Sequence, residues 1–271
     1  MDQPRLSRIA LERGLEMNLA ELGEGPALIF IHGSGPGASS WNNFRGNARH
    51  FAGKGYRCLM PDMVGFGHSS KPEDVDFTLD FHAGTIVRAI ESLTLSKVVL
   101  IGNSLGGAVA IQVALDRPDL VDRLVLMAPG WLDEREVFAQ MPGIQAMRRV
   151  LLDEGGLKLE NLEQTFALMF ADPARLPHDL VRERFEMAKL QNSTVYSRAT
   201  GYNLSSRLKE LVQPVLGFWG AADRFCPVSG ALTLAQEVAD CTMMISRQCG
   251  HWFMMEQSEL FDREVLAFLS K

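Results

Sequence analysis

The sequence has few cysteines, no excess of positive charge and no long apolar run. Cys58, Cys226, Cys241 and Cys249 are its only cysteines, scattered without a CxxC pair. That excludes a disulfide framework, and the thiols are expected to be reduced and mostly buried in a cytoplasmic protein. Lys and Arg number 27 against 33 Asp and Glu, a formal net charge of −6. Proteins that live on phosphate contacts are ordinarily basic, so nucleic acid is not an expected partner. No apolar stretch approaches the roughly 20 residues of a membrane helix. Met1-Asp2-Gln3-Pro4-Arg5 lacks the apolar core of a signal peptide, so neither a membrane nor export is expected. HExxH and clustered His/Cys ligands are missing. So are G-x-x-x-x-G-K-[ST] and a G-x-G-x-x-G that opens a helix. No metal and no cofactor is therefore expected.

What is present fits one large domain, or a domain with a lid: 271 residues, 46% hydrophobic and 22% charged. Arg8–Glu12 and Leu15–Ala20 alternate around Arg13-Gly14, which predicts a hairpin. Short apolar runs closed by turn residues follow at Ala27–His32, Arg57–Asp62, Lys97–Gly102, Arg123–Ala128, Pro214–Gly220 and Thr242–Ser246. Runs of that length, apolar on both faces, fit buried parallel strands. Helical patterns lie between them at Leu79–Leu93 (capped by Thr78 or Asp80), Leu105–Asp116, Leu232–Val238 and Glu259–Leu269. The alternation means βαβ units and a mostly parallel twisted sheet flanked by helices. It breaks over 131–208, which reads as helices only, at Leu162–Phe170, Asp179–Lys189 and Thr194–Leu208. The expected division is a core of 1–130 and 209–271, with 131–208 as a helical cap rather than helices packed on the sheet. A cap there would close a pocket over the carboxyl ends of the strands.

Gly102-Asn103-Ser104-Leu105-Gly106 lies between a strand and a helix, the context that gives G-x-S-x-G its meaning. Such a turn presents the Ser104 hydroxyl at a helix N-terminus, where dipole and free N–H groups favour developing negative charge. Serine is a poor nucleophile without a base, and the base needs an orienting acid. His251 follows the last strand and is the candidate base. Asp223 follows the penultimate strand and is the candidate acid, with Asp133 as its rival. His50, His68, His82 and His178 have no comparable position. His32 ends a strand, where it orders its loop by hydrogen bonding, and Asp62 satisfies a turn. Attack on a carbonyl makes an oxyanion that needs preplaced donors. The backbone N–H of Leu105 is one; the glycine-rich loop His32-Gly33-Ser34-Gly35-Pro36-Gly37 supplies the other, from Ser34 or Gly35.

The order Ser104, Asp223, His251 is that of α/β-hydrolases. Within that fold the chain resembles the meta-cleavage product hydrolases, C–C bond hydrolases of aromatic and steroid degradation. The resemblance runs from Leu22 to Leu269 and rests on three motifs. These are His32–Gly37 with Trp41-Asn42-Asn43, then Gly102-Asn103-Ser104, then Trp219-Gly220 through Asp223-Arg224-Phe225 with Gly250-His251-Trp252. It implies an α/β-hydrolase fold with an inserted helical cap and a 2-hydroxy-6-oxo-hexa-2,4-dienoate as substrate. It also implies that Asn43, Asn103, Arg184 and Trp252 bind the dienoate carboxylate and oxo groups, and that the chain forms a homodimer or higher homo-oligomer. An arginine suits an anionic dienol, since it pairs bidentately with a carboxylate. Arg182 is the alternative, two residues away on another helix face. The chain departs from the family at Ala128-Pro129-Gly130-Trp131, where relatives have more glycines, and at the Met-rich Phe253-Met254-Met255. Those methionines either line a distinct pocket or pack under the last helix. A carboxylesterase on the same scaffold would share the Ser/His/Asp set but have no need for Arg184 or Asn43.

Overall fold

Alternate residues of the strand Ala27–Ile31 go to opposite faces. Leu28 and Phe30 join one buried cluster, and Ile29 and Ile31 join the other. The computed structural model that shows this describes residues 3–153 and 155–271. Met1 and Asp2, which begin the N-terminal stretch read above, lie outside the described residues.

In chain order the strands are β1 (Arg5–Ala10), β2 (Glu16–Leu22), β3 (Ala27–Ile31), β4 (Arg57–Pro61), β5 (Phe77–Thr78), β6 (Val98–Asn103), β7 (Val121–Met127), β8 (Ala199–Thr200), β9 (Val215–Gly220) and β10 (Cys241–Ser246). Eight of them form one sheet in the order β1-β2-β4-β3-β6-β7-β9-β10. The β1–β2 and β2–β4 pairs are antiparallel, and every later neighbour is parallel. The helices are α1 (Ser40–Ala52), α2 (Leu79–Ser92), α3 (Leu105–Asp116), α4 (Arg135–Ala139), α5 (Pro142–Leu152), α6 (Leu159–Ala167), α7 (His178–Ala188), α8 (Thr194–Ser197), α9 (Ser229–Glu237), α10 (Phe253–Glu256) and α11 (Ser258–Leu269). Residues of α2 and α3 sit in one cluster, and residues of α1 and α11 in the other. Each face of the sheet is therefore covered, and β6 is buried at all its positions.

The chain leaves β3 to build β4 on one side and later returns to build β6 on the other. That reversal opens a crevice outside the carboxyl ends of β3 and β6, where ligands bind in open α/β sheets. The loop after β3 begins at His32 and the turn after β6 holds Ser104, so both meet at this crevice.

The hairpin, the six predicted strands and the α3 boundaries match the sequence reading to within a few residues. Thr78, not Asp80, caps α2, its hydroxyl oxygen accepting from the Phe81 N–H. The stretch from β7 to β9 needs correction. Thr194–Leu208 is not one helix. It is the short α8, then β8 paired parallel with β5, then a 3-10 turn over Ser205–Glu210. The two-residue β8 is also a strand where none was expected. Val195 is buried, and Ala199 and Thr200 pair with Phe77 and Thr78. Those long-range contacts override the local helical pattern.

Candidate active site

Ser104 occupies a left-handed conformation, φ 57° and ψ −119°, between β6 and α3. Such a backbone is strained for a residue with a side chain. Neighbouring bonds hold it: the Ser104 N–H donates to Met127 O at 3.0 Å, and its carbonyl accepts from Gly107, Ala108 and Gly130. The turn is also too tight for side chains nearby. A Cβ at Gly102 would meet the Gly106 carbonyl, and one at Gly106 would meet the Ile31 carbonyl. The glycines thus let β3, β6 and α3 converge beneath the serine.

His251 follows β10, and its Nδ1 lies 2.7 Å from Asp223 Oδ2. Asp223 Oδ1 accepts from the Phe225 and Cys226 N–H groups at 2.7 and 3.0 Å. Both carboxylate oxygens are therefore occupied, which fixes the imidazole orientation and leaves Nε2 as the free ring nitrogen. The Phe225 ring stacks on the imidazole at 5.1 Å. Asp133, the rival acid, instead accepts from the Ser229 hydroxyl at 3.0 Å. Ser104 and His251 line one cavity of about 310 Å³. No hydrogen bond joins Ser104 to His251 among the described residues, and the hydroxyl lies beside the Cys226 thiol.

Ser34, Gly35 and Leu105 line the same cavity. Their loop is anchored by His32, whose Nδ1 lies 2.7 Å from Gly33 O while Nε2 accepts from the Met63 N–H at 3.0 Å. Burial lowers the His32 pKa to about 3, so the ring is neutral and structural. Gly37 lies at φ +64°, and a Cβ there would collide with the Arg184 carbonyl. That close approach brings α7 onto the loop.

Arg184 points inward from α7 and is 2% exposed, whereas Arg182 faces solvent. Its Nη2 donates to Asn43 Oδ1 at 3.0 Å, and its guanidinium lies 5.2 Å from the Trp252 ring and 5.3 Å from Phe166. Among the described residues Nε and Nη1 have no partner, nor does Asn43 Nδ2. The adjacent carboxylates are engaged elsewhere, Glu183 with Arg45 and Glu186 with Lys189, each at 2.6 Å. Desolvation lowers the Arg184 pKa to about 10, which leaves it a cation at neutral pH. Asn103 donates to Met127 O and His251 O at 3.3 and 3.4 Å, and its Oδ1 is unpaired. Asn43, Asn103, Arg184 and Trp252 all line the cavity. Met254 and Met255 do not; they pack in the core under α11.

Two further residues, not assigned to the site from the sequence, belong to it or to its support. His82 lines the cavity among Phe66, Phe77 and Phe81, with Nδ1 unpaired and its pKa lowered by burial to about 4. It occupies the inward face of α2, flanked in sequence by the apolar Phe81 and Ala83. Glu256 is buried and accepts from the Gly250 N–H at 2.5 Å and the Ala171 N–H at 3.0 Å. The His251 N–H donates to Met169 O at 2.7 Å. Glu256 thus clamps the histidine loop to the segment after α6. A lone carboxylate ending the apolar Phe253–Met255 stretch was its visible signal.

Residues 26–258 match the model of the alpha/beta hydrolase fold family. A 2-hydroxy-6-oxononadienedioate/2-hydroxy-6-oxononatrienedioate hydrolase of Comamonas testosteroni is 31% identical over 96% of this chain and 94% of its own. A 2-hydroxy-6-oxo-6-phenylhexa-2,4-dienoate hydrolase of the same species is 32% identical over 92% of this chain and 89% of its own. The solved meta-cleavage product hydrolase of Pseudomonas fluorescens IP01 superposes with a TM-score of 0.84 at 28% identity, covering 97% of each chain. On its glycine-walled serine turn, its eight-stranded sheet and these alignments, the chain belongs to the α/β hydrolases and, within them, to the meta-cleavage product hydrolases.

Proposed function

We propose that the chain is a serine-dependent C–C bond hydrolase. Its substrate is a 2-hydroxy-6-oxo-hexa-2,4-dienoate, the type its relatives are named for, split with water into a 2-hydroxypenta-2,4-dienoate and a carboxylic acid. The observation that carries this is Arg184, a buried cation with two unpaired nitrogens in the cavity that Ser104 and His251 share. A buried charge without a partner costs several kcal/mol, roughly the scale of a whole domain's margin. An anion bound there repays it, and a simple ester offers none.

The geometry supports a sequence of steps. Arg184 with Asn43 takes the C1 carboxylate and the 2-oxygen, over the Trp252 face. His251 moves the proton that ketonises the dienol at C5. Ser104, with His251 as base, then delivers the attack on the C6 carbonyl, whose oxyanion is met by the N–H of Leu105 and of Ser34 or Gly35. The C5–C6 bond breaks with its electron pair passing along the chain to the 2-oxygen, whose charge Arg184 stabilises and which takes up a proton to give the 2-hydroxypentadienoate. A water activated by His251 then splits the acyl-Ser104 ester, releasing the carboxylic acid and the free serine. Asp223 holds the imidazole throughout. Residues 131–208 act as the cap that shuts water out. Its helices α4, α5, α7 and α8 contribute Arg135, Phe138, Met147, Arg184 and Tyr196 to the cavity. Three buried thiols support a reducing, cytoplasmic setting. A homodimer or higher homo-oligomer is expected, as in the resemblance, and light scattering reads it.

The test is spectrophotometric. Wild type, Ser104→Ala and Arg184→Ala are each mixed with a yellow ring-fission dienoate and with a p-nitrophenyl ester. Bleaching of the dienoate that is lost in both variants supports the reading. Ester hydrolysis that needs Ser104 but not Arg184, with dienoates untouched, leaves a carboxylesterase instead.

A further inference from the structure

The loop that offers the oxyanion donors is made of the most mobile residues in the chain, with glycine at 33, 35 and 37. Yet the Ser34 and Gly35 N–H groups have to stand still to meet a developing charge. His32 fastens the loop at its start, through Gly33 O. Its far end is fastened by residues from the segment after α7. Gln191 Oε1 accepts from the Gly37 N–H at 2.6 Å. The same oxygen accepts from the Tyr196 hydroxyl at 3.2 Å. That hydroxyl also stands 3.4 Å from Gly35 O, which takes the Ala38 N–H at 3.0 Å.

The chemistry of these groups leaves one arrangement. The Gly37 N–H is a donor, so the Gln191 oxygen has to face the loop. Gln191 Nε2 is then buried without a partner among the described residues, a cost that the two bonds on the oxygen offset. The Tyr196 ring meets Phe66 edge-on at 5.9 Å, and Phe66 meets the ring of His32 at 5.3 Å. The two fasteners of the loop therefore rest on one shared aromatic side chain. Burial raises the Tyr196 pKa, so the hydroxyl keeps its proton and stays a donor. A separate bond ties the same segment down without touching the loop: Asn192 Nδ2 donates to Lys71 O at 3.1 Å.

We infer that Gln191 and Tyr196 are positioning residues of the oxyanion hole, through which the 131–208 segment sets where the Ser34 and Gly35 N–H groups stand. They act on the Gly35 carbonyl and the Gly37 N–H, the two peptide groups that flank Pro36. Gln191 does not line the cavity, so it works without touching the substrate. A loop without this brace still leaves Arg184 free to bind a carboxylate. The loss falls on the chemical step and not on binding. The inference rests on Ser104 attacking a carbonyl, the part of the proposed function that a C–C hydrolase and an esterase share.

Wild type, Gln191→Met, Tyr196→Phe and Asn192→Ala are compared in two assays. One is single-turnover bleaching of the dienoate across a range of enzyme concentrations. The other is p-nitrophenol release from a p-nitrophenyl alkylphosphonate, whose phosphoryl oxygen takes the oxyanion's place as Ser104 Oγ bonds phosphorus. Gln191→Met is expected to lower both rate constants about ten- to a hundredfold, with the half-saturating concentration unchanged. Tyr196→Phe drops the longer bonds and should lose about three- to tenfold. Asn192→Ala frees the same segment elsewhere and should stay close to wild type. A raised half-saturating concentration with full saturating rates in Gln191→Met, or an equal loss in Asn192→Ala, makes Gln191 a fastener only and overturns the inference. Where Gln191→Met fails to fold, Tyr196→Phe decides alone, and wild-type rates in it overturn the inference. A wild type that is phosphonylated but bleaches no dienoate removes the C–C hydrolase reading, and the phosphonate rates alone then decide this one.

Discussion

Asp223 and Arg184 are both buried charges beside one cavity, and the fold treats them oppositely. The Asp223 carboxylate is complete without any ligand, with two backbone N–H groups on one oxygen and the imidazole on the other. Arg184 is left open, with one hydrogen bond to Asn43 and two nitrogens unpaired. The difference separates what must be rigid before substrate arrives from what must wait for it. A base has to be held in one orientation through every turnover. A binding cation that was already neutralised by protein would have nothing to offer an incoming anion.

Substitutions at the two charges should break this comparison in opposite senses. Asp223→Asn is expected to lower kcat by about 10⁴-fold through the wrong imidazole tautomer. Pre-steady-state bleaching checks it, and a loss under tenfold would remove Asp223 from its assigned role. Arg184→Met is expected to cost about 10²- to 10³-fold in kcat/KM, since two charge-assisted hydrogen bonds to the substrate are lost. The same variant should be more stable than wild type, by about 1–4 kcal/mol in urea unfolding, because an unpaired buried charge is replaced by an apolar side chain. A destabilised Arg184→Met would show that the guanidinium is satisfied in the free protein.

Two smaller effects sharpen the picture around His251. Glu256→Gln places an amide group against backbone N–H donors from two segments. Unfolding free energy should fall by about 1–3 kcal/mol, and kcat should fall more than KM rises as the histidine loop loosens. Unchanged kcat in a destabilised variant would limit Glu256 to structure. The last effect concerns acid. His82 is held near a pKa of about 4, below its ordinary 6.5. As pH falls below 6.5 the unfolded chain takes up the proton first, so the folded state loses stability between about pH 6.5 and 4, by up to about 3 kcal/mol. His82→Phe removes this share, and stability measured across that window should fall less steeply than in wild type. An identical slope would mean that His82 is protonated in the folded state.

Much of this was legible in residue order, because the elements concerned are set by local chemistry. Gly102 to Gly106 has no reading other than a tight strand-to-helix turn once Lys97–Gly102 is seen as a buried strand. The runs around β3, β6 and β9 are apolar on both faces, which only a covered parallel sheet tolerates. The stretch from Trp131 to Leu208 was harder. There α4 and α5 went unread, and a long helix was expected where α8, β8 and a 3-10 turn stand. These pieces are short, and their form is dictated by what they touch, such as Val195 packed over Gly65. Arg184 over Arg182, and Asp223 over Asp133, were choices of direction that a one-dimensional pattern leaves open.

The sequence by itself determined the sheet, the nucleophile turn and the Ser/Asp/His order, since each depends on neighbours along the chain. Only the tertiary structure decided which charges are satisfied. Arg184 comes from α7, Asn43 from α1 and Trp252 from the loop after β10. Whether such groups pair or stay open depends on distances between segments far apart in the chain, and on how far burial removes water from them.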